Sequence, residues 1–93
     1  MVYKVVFEDR VYKDLKILDK TTAAKILDVL ETKLAKDPLN NGVSLKGDLK
    51  GFYKYRYGNY RVIFKVSAAE VLIIIITIKH RKDVYENLKR MIG

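Results

Sequence analysis

Three basic side chains lie close together between positions 50 and 65, a stretch that contains no acidic residue. A Gly58-Asn59 pair in its middle is typical of a two-residue hairpin turn. Because strand side chains alternate between faces, such a turn pairs Arg56 with Arg61 and places Lys54 beside them. Like charges opposite each other across a hairpin are destabilising, so this face is predicted to bind an anion, most simply phosphate.

The other face of the same hairpin is aromatic and apolar. Its members are Tyr53, Tyr55, Tyr57, Tyr60, Val62 and Phe64. Aromatic side chains on a sheet can stack on RNA bases. These rings, however, lie opposite the cations and beside aliphatic residues, so we interpret most of them as core, with Tyr55 or Tyr57 at the rim.

A second basic cluster occupies positions 79–82, and a tyrosine follows it. The residues are Lys79, His80, Arg81, Lys82 and Tyr85. If the last helix begins near Arg81, then Arg81 and Tyr85 share one helical face because they are four residues apart. Taken alone, such a cluster is usually a solubilising edge. A lone histidine such as His80 can act as an acid or base but is more often structural.

The net charge of +8 is unevenly distributed over the 93 residues. Residues 1–40 contain 8 Lys/Arg and 7 Asp/Glu, whereas residues 41–93 contain 11 and 4. This asymmetry favours a polyanionic partner, because neutralising phosphates with Lys and Arg releases condensed counterions. An acidic protein partner would satisfy the same charge.

Several classes of function are excluded or disfavoured by composition. The absence of cysteine and the single histidine exclude disulfides, thiolate metal sites and a histidine metal cluster. We therefore expect neither a metal nor a cofactor. The longest apolar run, 71–76, is far too short to span a bilayer, and the N-terminus lacks a signal-peptide core. We expect a cytoplasmic protein without a membrane partner.

The hydrophobic pattern predicts a single α+β domain over residues 1–93, with the element order βααβββα. A β-branched run at 2–7 is the first strand, after which Glu8 and Asp9 begin a helix. Thr21 or Thr22 caps a second helix, which ends at Asp37-Pro38. The two helices form a hairpin that packs on one face of an antiparallel-rich sheet.

Turn-forming residues at 38–47 predict a loop, which leads into the hairpin of 50–66. The segment 71–79 shows no alternation in its apolar part, which is typical of a central strand covered on both faces or by a neighbouring chain. The pattern leaves open what covers Ile73 and Ile75. A final helix from about Lys82 is expected, with apolar positions Val84, Leu88 and Met91 or Ile92.

Two runs of the sequence, with a hydrophobic strand between them, carry a family resemblance. They are LKGDLKGFYKYRYGNYRVIFKV and IKHRKDVYENL. In order and spacing they closely resemble the RelE toxins of the RelE/ParE superfamily. The shared features are Leu-x-Gly, a Tyr-Arg pair after a hairpin turn, and an arginine near a tyrosine in the last segment. The first strand and two helices also match, so the resemblance covers nearly the whole chain.

The resemblance implies a ribosome-dependent, metal-free endoribonuclease that cleaves mRNA in the decoding site. It implies neutralisation by an acidic RelB-type antitoxin, with DNA contacts made only through the toxin-antitoxin complex. Catalytic roles would fall on Lys54, Arg56, Arg61, Arg81 and Tyr85. Contacts to RNA or the ribosome are expected from Lys46, Lys50, Lys65, Lys79, His80 and Lys82.

The chemistry of these residue types suits such a reaction. Attack by the 2′-hydroxyl needs a base, neutralisation of a pentavalent phosphate and protonation of the leaving 5′-oxygen. We expect Arg61 and Arg81 on the phosphate, with Arg81 also assisting the leaving oxygen. Lys54 is the favoured base, and Tyr85 is either a base or a stacking group. Arg56 replaces a lysine of the best-known family member and cannot act as a base.

Three other functions fit the same residues. A ParE-like member of the superfamily would share the scaffold and poison DNA gyrase, although the presence of both Arg81 and Tyr85 argues against it. A non-catalytic RNA-binding module would use the basic face for affinity alone. An inactive toxin could be retained as a partner of its antitoxin.

Overall fold

A five-stranded mixed sheet organises the computed structural model, which describes residues 2–86 and 88. The elements in chain order are β1 (Lys4–Phe7), α1 (Asp9–Ile17), α2 (Lys20–Thr32), a 3₁₀ turn (Leu34–Lys36), α3 (Pro38–Asn41), β2 (Val43–Ser44), a 3₁₀ turn (Gly47–Leu49), β3 (Tyr53–Tyr57), β4 (Tyr60–Ser67) and β5 (Leu72–His80). Residues 84–86 and 88 are helical and are named α4. The strand order is β1-β5-β4-β3-β2, with β1 and β5 parallel and the other pairs antiparallel. The predicted α+β class is confirmed.

Strand β5 lies inside the sheet, between β1 and β4, as its unbroken apolar run predicts. On one face, Ile73 and Ile75 are fully buried in the main core, together with Val11 of α1 and Ile26 of α2. This chain's own helical hairpin therefore covers them. The other face carries a smaller core of Leu45, Phe52, Ile63, Ile76, Val84 and Leu88. Burial on both faces explains why the strand shows no alternation.

The structure corrects several element boundaries. Strand β1 begins at Lys4 rather than residue 2, and β5 runs to His80. The N-cap of α2 is Asp19, not Thr21 or Thr22, because the backbone N–H of Thr22 donates to the Asp19 carboxylate at 3.1 Å. Hydrogen bonds from the hydroxyl and the backbone of Thr22 hold the pKa of Asp19 below its usual value.

Helix α2 ends at Thr32, before the predicted stop at Asp37-Pro38. The expected loop at 38–47 contains α3 and the edge strand β2, which pairs with the start of β3. A two-residue strand has too few alternating positions to stand out in a sequence. The terminal helix has the predicted apolar positions Val84 and Leu88, both fully buried. Met91 and Ile92 lie outside the described residues.

A buried carboxylate covers the part of β5 that β1 does not reach. The parallel pairing of β1 ends at Phe7 opposite Ile75. Beyond that point Asp14 of α1, which is 4 % exposed, accepts hydrogen bonds from the Thr77 hydroxyl at 2.7 Å and the Ile78 backbone N–H at 3.0 Å. Its second oxygen pairs with Lys79 Nζ at 2.7 Å. Asp14 thus satisfies an edge N–H that would otherwise be buried without a partner.

Replacing Asp14 with alanine should lower the free energy of unfolding by about 3 kcal/mol, because it orphans the buried Ile78 N–H and the Thr77 hydroxyl. Urea denaturation measures this change. Asp28, exposed on α2, is the matched control, and Asp28→Ala should stay within about 0.5 kcal/mol of the parent. Equal losses in the two variants would remove Asp14 from this structural role.

Candidate active site

The hairpin has the register that its turn residues predict. Arg56 pairs with Arg61 and Tyr57 with Tyr60. Gly58 has φ +56°, whereas Asn59 is not among the residues of positive φ. A positive φ at the first central position alone identifies a type II′ turn, in which glycine is the favoured residue there. The two arginines therefore face each other across the strands, as expected.

The aromatic face is packed against the main core. Tyr53, Tyr55, Tyr57 and Tyr60 are partly buried there, beside the fully buried Val62 and Phe64. The ring of Tyr53 stacks on Phe64 at a centroid distance of 5.6 Å. The interpretation of these tyrosines as mainly core residues is confirmed in part, because all four pack against the main core but none is fully buried.

Helix α4 packs on the cationic face of the hairpin. Ile63, which pairs with Lys54, belongs to the smaller core together with Val84 and Leu88. This packing brings Tyr85 over the hairpin, and Lys54 Nζ donates to its hydroxyl at 2.9 Å. Nζ also lies 5.6 Å from the centre of the Tyr85 ring, within cation–π range. Two residues 31 positions apart in sequence thus meet in one site, with Tyr85 still 38 % exposed.

The two arginines predicted to contact phosphate meet at the hairpin turn. Arg61 Nη1 donates to the carbonyls of Gly58 and Tyr60, each at 2.9 Å. The backbone N–H of Arg81 donates to the Asn59 carbonyl at 2.7 Å. The Arg81 side chain is exposed, as is that of Arg56. The hairpin turn and the end of β5 therefore hold Arg61 and Arg81 at the same end of the sheet.

The cations of this face have no carboxylate partner within residues 2–86 and 88. In that part of the chain the ion pairs are Arg10 with Glu8 and Lys79 with Asp14. The positive charge of this face is therefore not compensated by those residues, and the resulting positive electrostatic potential favours binding of an anion. The arrangement can bind a phosphate, and it places a hydroxyl and an ammonium group beside it.

The remaining predicted RNA contacts are spread over the surface. Lys46, Lys50, Lys65 and Lys82 are exposed, and Lys65 Nζ lies 4.7 Å above the ring centre of Phe52. The ion pair with Asp14 counts against the role predicted for Lys79. His80 Nδ1 accepts from the Lys82 backbone N–H at 3.2 Å. These RNA-binding roles stay predictions.

Two features of the structure were not predicted from the sequence. One is Asp14, whose partners are 63 to 64 positions away. The other is an open groove of about 490 Å³ between α1 and α2, lined by Leu15, Lys16, Leu18, Lys20, Ala23, Ala24 and Leu27. Ile17 beside it is 78 % exposed. Apolar residues on α1 and α2 that lie outside the helical stripe facing the sheet could have indicated this groove.

Within the described residues, no group of three or more His, Cys, Asp or Glu side chains is arranged to hold a metal ion. In the same part of the chain, no helix has the length and apolar character needed to cross a membrane.

Comparison with known proteins identifies the family. The family model described as the ParE toxin of the type II toxin-antitoxin system parDE matches residues 5–85. The chain belongs to this family. Among curated relatives, Toxin RelG of Mycobacterium tuberculosis (strain ATCC 25618 / H37Rv) is 28 % identical over 85 residues, covering 91 % of this chain and 98 % of its own.

Two solved structures of toxin-antitoxin complexes share the family fold. In the RelBE2 complex from Mycobacterium tuberculosis, the similar chain gives a TM-score of 0.83 at 26 % identity, covering 87 % of this chain and 100 % of the other. In the archaeal RelE-RelB complex from Pyrococcus horikoshii OT3, the values are 0.62 and 31 %, covering 87 % and 97 %. The family resemblance read from the sequence is confirmed, and the chain is a type II toxin of the RelE/ParE superfamily.

Removing the anchor of α4 should disconnect Tyr85 from Lys54. Leu88→Ala empties a fully buried position of the smaller core and should cost about 3 kcal/mol of local stability. Amide hydrogen exchange should then show lost protection at 84–86, with protection retained in β4 and β5. Leu39→Ala, at a 53 % exposed position, is the control. Unchanged exchange in α4 after Leu88→Ala would contradict this anchoring.

Proposed function

We propose that this toxin is a metal-free endoribonuclease that cleaves mRNA in the ribosomal decoding site. The observation that supports it best is the Lys54 Nζ to Tyr85 hydroxyl contact of 2.9 Å on a face whose cations have no carboxylate partner among residues 2–86 and 88. An ion-pair network would neutralise such cations. Here they are left to meet a phosphate, next to groups that can move a proton.

The reaction forms a bond from the 2′-oxygen to phosphorus and breaks the bond to the 5′-oxygen, leaving a 2′,3′-cyclic phosphate and a free 5′-hydroxyl. Arg61 has five N–H donors, of which Nη1 uses two on the turn carbonyls. Its Nε and Nη2 hydrogens are left for a phosphate oxygen. The exposed side chain of Arg81 stabilises the pentavalent charge from the end of β5 and assists the leaving oxygen.

Proton transfer falls to Lys54 and Tyr85. In this contact the ammonium donates and the phenol oxygen accepts, so the hydrogen of the Tyr85 hydroxyl stays available for another acceptor. Lys54 in its uncharged form would take the proton of the 2′-hydroxyl. The Tyr85 hydroxyl would give its proton to the leaving 5′-oxygen and regain one from Lys54, with which it is in hydrogen-bond contact. The exposed ring of Tyr85 would also orient the nucleotide. Arg56 adds charge but no base. With so few bases, the enzyme depends on the ribosome to align the 2′-oxygen with the phosphate.

We further propose an acidic antitoxin of the RelB type as its partner. The described relatives include toxins solved in complex with RelB antitoxins. Two features of this chain suit such a partner. The cationic face would receive carboxylates, and the groove between α1 and α2, with Lys16 and Lys20 at its edge, would receive the apolar side of an acidic helix. DNA contacts of the complex would come from the antitoxin.

Gyrase poisoning is the second candidate, because the matching family model is described by the ParE toxin. The cluster of Lys54, Arg61, Arg81 and Tyr85 has a use in phosphodiester cleavage and none that we can assign in gyrase binding. A supercoiling assay with purified gyrase separates the two functions. Inhibition of gyrase without cleavage of mRNA would establish the second.

Arg81→Ala and Tyr85→Phe should each lower cleavage of mRNA on purified, programmed ribosomes by at least about 10²-fold and should abolish growth arrest, because each removes a group that acts in the transition state. Arg10→Ala and Tyr12→Phe on α1 are controls of the same residue types at exposed positions and should keep full activity. Circular dichroism would verify that all four variants are folded.

The products should end in 2′,3′-cyclic phosphates, and cleavage should require the ribosome and persist in EDTA-treated enzyme. Full toxicity of both Arg81→Ala and Tyr85→Phe would exclude these side chains from the reaction. Binding of ribosomes without any break in the mRNA would favour the non-catalytic alternative.

A charge placed in the α1–α2 groove should weaken the antitoxin complex. Ala24 is exposed in the groove, so Ala24→Arg should preserve the fold and raise the dissociation constant for the antitoxin at least about tenfold by isothermal titration calorimetry. Ala68→Arg, at an exposed position in the turn between β4 and β5, adds the same charge as a control. Equal affinity of the two variants would place the antitoxin helix elsewhere.

A further inference from the structure

Three consecutive carbonyls of the hairpin turn are all engaged by the two arginines. Arg61 binds the carbonyls of Gly58 and Tyr60 through Nη1. The Asn59 carbonyl between them accepts the backbone N–H of Arg81 at 2.7 Å. Arg81 directly follows the last residue of β5, so this bond fixes the point at which the chain leaves the sheet.

The guanidinium holds the peptide planes on both sides of the Asn59 carbonyl. A peptide unit is planar, so a bond to the Gly58 carbonyl fixes the plane before Asn59, and a bond to the Tyr60 carbonyl fixes the plane after Tyr60. The Asn59 to Tyr60 plane lies between them, so both of its Cα ends are held, and the rotation about its Cα–Cα axis that remains is fixed by the bond from the Arg81 N–H. Its carbonyl is the one that receives Arg81. Gly58 supplies the positive φ of +56° that the turn requires.

We propose that Arg61 is a positioning residue for Arg81, acting through the Gly58-Asn59 turn. The remaining donors of Arg61 stay available for substrate, so the residue serves the site in two ways. The Lys54 and Tyr85 contact lies outside this chain of bonds. The consequence for cleavage rests on the proposed ribonuclease function, whereas the structural coupling between Arg61 and Arg81 does not.

Hydrogen exchange of the Arg81 amide, measured by NMR on the free toxin, tests the coupling directly. Arg61→Ala should lower the protection of this amide about tenfold, since it removes two charge-assisted hydrogen bonds from the turn. Arg56→Ala is the matched control, because it removes the same charge from the paired position of the same face. It should leave the Arg81 amide unchanged. Equal protection in the parent and in Arg61→Ala would overturn the proposal.

A second variant perturbs the turn without changing any charge. Alanine at position 58 would meet open space but would be strained by the positive φ. Gly47→Ala is the control, since Gly47 has a similar φ of +64° and equally open surroundings. Gly58→Ala should lower the protection of the Arg81 amide and the single-turnover cleavage rate on ribosomes, each about tenfold, with little change in ribosome affinity. Gly47→Ala should do neither.

The two proposals fail in different ways. A parent protein that never cleaves mRNA would refute the ribonuclease function, while a fall in Arg81 protection after Arg61→Ala would still establish the coupling. If the parent cleaves but Gly58→Ala cleaves at the parent rate, the turn does not position Arg81 for the reaction. If Arg61→Ala is too unstable for exchange measurements, the comparison of Gly58→Ala with Gly47→Ala decides.

Discussion

The burial of strand β5 on both faces is the constraint on which the rest of the structure depends. One face holds Ile73 and Ile75 against the helical hairpin, and the other holds Ile76 against Ile63 and α4. Helices are thereby fixed to both sides of one sheet. Where β1 stops, the buried carboxylate of Asp14 completes the edge of the strand. Because β5 ends at the second basic cluster, its burial also sets where Arg81 and Tyr85 can lie.

The like charges of the cationic face repel one another, and this repulsion destabilises the folded protein. Arg56 faces Arg61 across the hairpin, and in the described part of the chain no carboxylate compensates them. A solvent-exposed face could have been built with mixed charges at lower cost. The charges are instead assembled beside a polar contact between Lys54 and Tyr85. An anion bound there would relieve this repulsion, whether it is a phosphate of the proposed mRNA substrate or a carboxylate of the proposed antitoxin.

Membership of the family does not identify the molecular target, which has to be inferred from the side chains of the site. The matching family model is described by the ParE toxin, whereas the curated relative is named Toxin RelG and the two similar structures are of RelBE2 and RelE-RelB complexes. Proteins with both kinds of name share this fold, so the fold alone does not identify the molecular target. Helix α4 is the element that matters most for this choice, because its packing on Ile63 and Ile76 delivers Tyr85 to the hairpin.

Many of the structural elements of this protein could be predicted from the sequence alone. Side-chain period and turn chemistry, which act over a few residues, account for the register of the β-hairpin and the separation of cations from tyrosines. They also account for the helical hairpin and the interior position of β5 in the sheet. The tertiary structure decided what depends on distant partners. The buried Asp14 accepts a hydrogen bond from β5 and forms an ion pair with Lys79. Lys54 donates a hydrogen bond to Tyr85. It also decided that Arg61 binds the turn carbonyls beside the one that holds Arg81. Such contacts arise only when packing brings remote segments within hydrogen-bond distance, and no spacing along the chain encodes that distance.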